Sequence, residues 1–207
     1  MSTLPALQWR YSLKQFSSDK VPLARVHDLI EAARLAASSY GLQPYQIWVI
    51  DDSQVLAQLS EHAYGQSQIT QCSHLLVLVN DTQIGDHTVD RYFQRYYQQT
   101  GTEVGSADGY AEHIKSALAA QNSPQRQAWA QQQAYLALGA LLSEAAMQRI
   151  DACPMTGFDQ EAFNHVLGLT EKQLNACVIC AVGYRDNSIA VPEKVRTPTT
   201  EFAHFFA

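Results

Sequence analysis

Ser73-His74-Leu75-Leu76-Val77-Leu78-Val79 is the run whose reading decides how this chain folds, because its apolar residues follow one another without a polar break. Side chains alternate between the two faces of a strand, so such a run leaves neither face fit for water and predicts a buried strand. Ala176-Cys177-Val178-Ile179-Cys180-Ala181-Val182, ending at Gly183, reads the same way, and Gln46-Ile47-Trp48-Val49-Ile50 is a third strand by its branched and aromatic content. Around these lie helical patterns. Leu23, Val26, Ile30, Ala33 and Ala37 recur by threes and fours, which predicts an amphipathic helix with Pro22 in its first turn and an end near Ser38. A short helix is predicted over Ser53–His62, and the following Ala63–Ile69 would, if extended, turn Gln66 and Gln68 to one side. Asp86–Gln99, with Val89, Tyr92, Phe93, Tyr96 and Tyr97, reads as an aromatic-rich helix before a loop over Thr100–Gly109. A long helix is predicted from Ser123 to Arg149, capped by Ser123 with Pro124 at its first position. Its segment Ala134–Leu142 is apolar on every face and is expected to be a buried central helix. Asp151–Gly157 reads as a loop, Phe158–Leu167 as a short helix, and Pro192–Pro198 as an extended segment.

The chain has 207 residues, suited to one domain over 1–207 with a substantial core. Charged residues make up only 16%, which is compatible with a surface partly covered by a partner subunit. A net charge of −6 argues against nonspecific attraction to nucleic acid or to an anionic membrane. No stretch approaches the roughly 20 apolar residues of a spanning helix, and Met1–Leu7 has neither a basic region nor an apolar core; a cytoplasmic protein is expected. Cys72, Cys153, Cys177 and Cys180 are too few and too scattered for a disulfide framework. The last two spell CxxC, but inside an apolar strand and without a second pair or a nearby histidine, so no metal site is expected.

Chemistry enters at Arg10-Tyr11-Ser12-Leu13-Lys14. In an extended segment Arg10, Ser12 and Lys14 share one side, and a guanidinium, a hydroxyl and an ammonium together suit a small anion such as phosphate. Lys194-Val195-Arg196 is a second alternating pair at the far end of the chain. Should the two runs meet, four cations would surround one place and repel each other unless an anion neutralised them. A phosphate monoester carries nearly two negative charges near neutral pH.

These runs belong to a longer ordered series: Arg10–Phe16, Leu29–Ser39 with Gln43-Pro44-Tyr45, Cys72-Ser73-His74 before a strand, Pro154-Met155-Thr156-Gly157-Phe158, Leu167-Gly168-Leu169 and Lys194-Val195-Arg196. Taken together the series resembles the flavin-dependent nitroreductase family, from about Gln8 to Pro198. Residues 81–122 match poorly and stand as a variable helical insert, with 186–207 as an extended tail. The resemblance implies an α+β fold with a mixed central sheet flanked by helices, and an intertwined homodimer with FMN at each subunit interface. It implies two-electron, ping-pong hydride transfer from NADH or NADPH to nitroaromatics, quinones or similar flat acceptors. Carried over by motif, Arg10, Tyr11, Ser12 and Lys14 belong to an FMN-binding run, and Lys194 and Arg196 to a phosphate pair. Ser38 and Ser39 match a segment lent to the other subunit's flavin. Gln66 and Gln68 fall where donors meet the ring's polar edge, and Pro154, Met155, Thr156 and Gly157 form the stretch passing over the ring. No catalytic acid or base is implied, because the flavin carries the chemistry. The chain departs from the pattern at Ala37, Gly41, Tyr45 and Thr156, where family members often carry proline, asparagine, tryptophan or phenylalanine, and, in one branch, glutamate. Reductive dehalogenation or flavin processing on the same fold, and a non-catalytic flavin-binding module, are the alternatives.

Overall fold

The computed structural model describes residues 2–186 and 188–206. In chain order its first half comprises α1 (Leu4–Trp9), α2 (Leu23–Arg34), β1 (Tyr45–Ile50), α3 (Ser53–Glu61), α4 (Gln68–Gln71) and β2 (His74–Asp81). The second half comprises α5 (Asp86–Thr100), α6 (Asp108–Ala119), α7 (Ser123–Met147), β3 (Asp151–Met155), α8 (Gln160–Val166), β4 (Leu174–Gly183) and α9 (Thr199–Phe202). The strand built on the Leu75–Val79 run is buried along its whole length.

The strands lie in the order β1-β2-β4-β3, each neighbouring pair antiparallel. The α+β class is as expected, but the sheet is antiparallel throughout among the described residues rather than mixed. The reason lies in the connections. Ile50 at the end of β1 faces Leu75 at the start of β2, so the α3–α4 leg begins and ends at the same end of two neighbouring strands and reverses the chain.

Alternation along the strands divides the core in two. Leu75, Val77 and Val79 of β2, with Ala176, Ile179 and Ala181 of β4, meet Leu56 and Leu59 of α3, Ile69 of α4 and Phe163 of α8. Leu76 and Leu78, with Val178, Cys180 and Val182, face the other way onto Val26 and Leu29 of α2 and Ala134, Ala137 and Leu141 of α7. A bulge between Leu78 and Val79 lets the two strands keep both sets in register. A third cluster, with Leu42, Val89, Phe93, Ile114 and Leu118, joins α5 to α6 and to Ala130 of α7, so residues 81–122 carry two packed helices.

Several local expectations are corrected. Asn122 caps α7 instead of Ser123: its Oδ1 accepts from Gln125 N at 3.0 Å while Gln125 Oε1 accepts from Asn122 N at 2.8 Å, closing a reciprocal capping box. The apolar stretch of α7 is not covered on every face, for Tyr135 and Leu136 are 43% and 53% exposed. Helix α2 stops at Arg34, short of Ser38, because the chain must turn into β1 through Tyr40 and Gly41, both at positive φ. A Cβ on Gly41 would lie 3.0 Å from Tyr92 Cε2, so Gly41 leaves room for the Tyr92 ring of α5. Ala63–Ile69 is a turn leading into α4, not an extended segment. Asp151–Met155 is a strand rather than a loop: it pairs with Ile179–Gly183, a long-range partner that local composition does not reveal. Its Pro154 is accommodated because β3 is an edge strand. No helix among the described residues is long and apolar enough to cross a membrane.

Two contacts tie the N-terminal segment to this frame. Phe16 forms a bridge with Arg185, and Ser17 N donates to Tyr184 O at 2.8 Å, just beyond β4. The Phe16 ring rests on Gly183, where an added Cβ would come within 2.7 Å of Phe16 Cδ1. At the start of β2, Ser73 Oγ accepts from Val21 N at 2.7 Å and lies 2.9 Å from His74 Nδ1. Lys20 Nζ adds a bond to Cys72 O at 3.2 Å.

Gly183→Ala is expected to cost about 1–3 kcal/mol by overpacking, read as a lower denaturation midpoint, with Phe16→Leu in the same chain recovering part of the loss. His74 is the second test. Burial, reinforced by Lys20 and opposed by Asp51, holds its pKa below the ordinary 6.5. A lowered base means that the unfolded chain takes up the proton first, so stability should fall as pH drops below about 6.5 and level off beneath the folded value. His74→Gln should flatten that limb in chemical denaturation between neutral and mildly acid pH; an unchanged slope would exclude His74 as its source.

Candidate functional site

A cleft of about 490 Å³ opens where the N-terminal run, the turn before α4 and the C-terminal tail converge; Tyr11, Ser12, Lys14, Gln66 and Gln68 line it. Arg10 follows α1 in an extended conformation, φ −59° and ψ 143°. Its Nη2 donates to Ser12 Oγ at 2.9 Å, which places these two on one side as the alternation requires. Arg10 Nε is buried and has no hydrogen-bond partner among the described residues. An unsatisfied buried donor of this kind costs about 1–3 kcal/mol, a cost that an acceptor reaching it would remove.

The two cationic runs do meet. Lys194 Nζ donates to Leu7 O and Gln8 O, each at 2.6 Å, and so closes the last turn of α1 with a positive charge at the helix's negative end. Its pKa is pushed down by desolvation and by the neighbouring charges of Arg10 and Arg196. The like-charge part of that shift is what a bound anion would relieve. Arg196 turns its Nη1 onto Val195 O at 2.6 Å. Arg10 and Lys14 also oppose, from the other side, the burial that raises the Cys153 thiol.

The amide end is equally well defined. Gln66 Nε2 donates to Gly157 O at 2.6 Å, and Gln68 Nε2 lies 3.1 Å from both Gln66 Oε1 and Met155 Sδ. The turn before α4 thus brings the two side chains together although the segment is not extended. Of the Pro154–Gly157 stretch, which is not part of the cleft lining but is bonded to Gln66 and Gln68, Met155 is buried, Pro154 half-buried, and Thr156 and Gly157 are exposed. A Cβ on Gly157 would stand 3.4 Å from Gln66 Nε2, tight enough to disturb that bond.

Ser38 and Ser39 lie apart, outside the cleft and beside α7, where Ser39 N donates to Gln133 Oε1 at 2.8 Å. Leu13, Gly65, Ile189, Ala190 and Pro192 also line the cleft and were not singled out from the sequence. Small and apolar tail residues carry no chemical signal. Asp151 was missed as well: 1% exposed, it accepts Arg185 Nε and Nη2 at 2.9 and 2.8 Å, a pairing across 34 positions that no spacing rule detects. Cys177 and Cys180, three apart on β4, both pack toward α2 and α7 because the bulge at Cys177 breaks the alternation, and burial pushes Cys177 to about 11. No carboxylate or imidazole belongs to the cleft lining among the described residues. Among the described lining residues Lys14 supplies a positive charge and Gln15, Gln66 and Gln68 supply amides, so the lining offers hydrogen-bonding groups and no proton-transfer carboxylate or imidazole.

A Thermus thermophilus protein named NADH dehydrogenase is 30% identical to this chain over 189 residues, covering 88% of this chain and 89% of that protein. A Staphylococcus haemolyticus protein provisionally named an NAD(P)H nitroreductase is 27% identical over 208 residues, 95% of this chain and 93% of its own length. In fold, the chain is similar to a provisionally named nitroreductase from Exiguobacterium sibiricum, solved in complex with FMN, with a TM-score of 0.85 at 18% identity over 100% of this chain and 98% of the other. The model of the Nitroreductase family matches residues 7–184, well over half of the chain, and this protein accordingly belongs to the nitroreductase family.

Proposed function

We propose that this chain is an FMN-dependent NAD(P)H oxidoreductase, acting as a homodimer and passing two electrons by ping-pong hydride transfer to nitroaromatics, quinones or similar flat acceptors. The observation that carries the reading is a cleft lined by Ser12 and Lys14 together with the paired amides of Gln66 and Gln68, with Arg10, bonded to Ser12, keeping a buried and unpartnered Nε. The donor set fits a flavin mononucleotide. Arg10, Ser12 and Lys14, with Lys194 and Arg196, supply the charge for a phosphate, and each charge-assisted hydrogen bond would contribute about 1.5–3 kcal/mol. Gln66 and Gln68 offer N–H groups and carbonyls to a ring's polar edge, and Tyr11 contributes a flat face to the same wall. The Pro154–Gly157 stretch, held against Gln66 and Gln68, sets the height of the slot and presents backbone N–H groups where negative charge would develop. When bound, the flavin supplies the two-electron chemistry, accepting hydride from the nicotinamide and returning it to the acceptor. The protein's part is to hold, orient and leave a flat space open. Ser38 and Ser39 lie outside the cleft of their own chain, which agrees with a role at the flavin of a second copy.

Reductive dehalogenation or flavin breakdown is the second reading, favoured by the α5–α6 pair with its own aromatic core, since those activities need a lid over charged substrate groups. Activity confined to a halogenated phenol would select it over steady NAD(P)H oxidation with a nitroaromatic. Bound flavin that neither nicotinamide bleaches would select a non-catalytic module.

The protein is expected to be yellow as purified, to lose its flavin absorbance anaerobically with NADH or NADPH, and to regain it with a nitroaromatic. Colourless protein that also refuses added FMN would overturn the reading. Arg10→Ala and Arg196→Ala should each weaken FMN binding by about tenfold or more; unchanged affinity in both would mean that the phosphate is held elsewhere.

A further inference from the structure

We propose that Trp9, stacked on Arg185 and Arg149 and anchored through Arg185 to the buried Asp151, positions Arg10 for the phosphate of the bound flavin. This rests on the FMN reading above.

Helix α1 has six residues, too few to hold its shape unaided. The place of Arg10, the residue after it, is therefore decided by whatever grips its last turn. Lys194 grips the carbonyls of Leu7 and Gln8. On the Trp9 ring, the Arg185 guanidinium carbon lies 4.0 Å from the centroid and that of Arg149 4.9 Å, both within cation–π range.

Arg185 is itself immobilised. Two parallel bonds join it to Asp151 on β3, and its backbone bridges Phe16 at the end of the N-terminal run. A planar fork bound along one edge to a carboxylate still offers its face to an indole, which an ammonium cannot do. Arg149 stands at positive φ in the turn from α7 into β3, so the second cation comes from the same junction. Strand β3 also leads into Met155 and Gly157, against which Gln66 and Gln68 are held. One strand thus sets the amide end of the cleft directly and the cationic end through Arg185 and Trp9.

Arg10 needs such support because its own bonds do not fix it. Its side chain makes the bond to Ser12 Oγ while its Nε stays buried without a partner, facing the charges of Lys194 and Arg196. A guanidinium under like-charge pressure would swing out to water if the residue before it were free to move.

The test compares FMN with riboflavin, which lacks only the phosphate, by fluorescence quenching on the whole chain. In Trp9→Leu, FMN affinity should drop roughly three- to tenfold while riboflavin affinity holds. Trp9→Phe, which keeps an aromatic face, should retain most FMN affinity, and Trp9→Leu with Arg10→Ala should bind FMN no more weakly than Arg10→Ala alone. Equal losses for FMN and riboflavin, no loss of FMN affinity, or losses that add in the double variant would each overturn the proposal. Arg185→Lys, which keeps the charge and loses the flat face, is judged by the same comparison should Trp9→Leu not fold. Wild-type protein that binds FMN no better than riboflavin would overturn the phosphate reading beneath, and this proposal with it; discrimination intact in wild type and in Trp9→Leu alike would overturn this proposal alone.

Discussion

A strand that is apolar on both faces must be covered on both, and the architecture follows from that demand on β2. Leu76 and Leu78 call for α2 and α7 on one side; Leu75, Val77 and Val79 call for α3, α4 and α8 on the other. With β4 as its neighbour carrying the same double-sided pattern, the centre of the sheet is closed to water and β1 and β3 become its edges. Edges are where irregular chain can dock. The N-terminal run attaches beyond the end of β4 through Phe16 on Gly183, and the Pro154–Gly157 stretch leaves from β3. The cleft is a consequence of covering the core, set at the side where the covering ends.

Within that cleft the electrostatics run against the isolated chain. Desolvation and the charges of Arg10 and Arg196 hold the Lys194 pKa below its ordinary value, and a guanidinium N–H of Arg10 lies buried without an acceptor among the described residues. A folded chain tolerates such a cluster when the remaining contacts hold it in place, and unfavourable local energy of this kind gathers where ligands bind. Here the holding contacts are the Lys194 bonds to α1 and the stack of Trp9 on Arg185. The amide end is satisfied from within, Gln66 on Gly157 and Gln68 on Met155, so the two ends differ in kind: one is prepared and unsatisfied, the other paired.

Elements with a strong period were legible: the double-sided strands, the long α7, and the aromatic α5 all stand close to where their spacing puts them. The misreadings share a cause. Asp151–Gly157 looked like a loop because Asp151, Pro154 and Gly157 are turn formers, whereas the pairing of Asp151–Met155 with β4 is long-range. Gln66 and Gln68 meet through a turn and not through strand geometry. In the cleft, Ser12 and Lys14 showed themselves by charge and alternation, while Leu13, Ile189 and Ala190 offered nothing to see.

The sequence by itself determined which segments had to be buried, which cations could act together, and to which family the motif order belongs, because these depend on residue type and near-neighbour spacing. Only the tertiary structure decided that the two cationic runs converge, that the sheet is antiparallel, and that Asp151 reaches Arg185 and through it Trp9. Those facts depend on contacts between residues far apart in the chain, whose energies exist only once the strands have paired and the helices have closed over them.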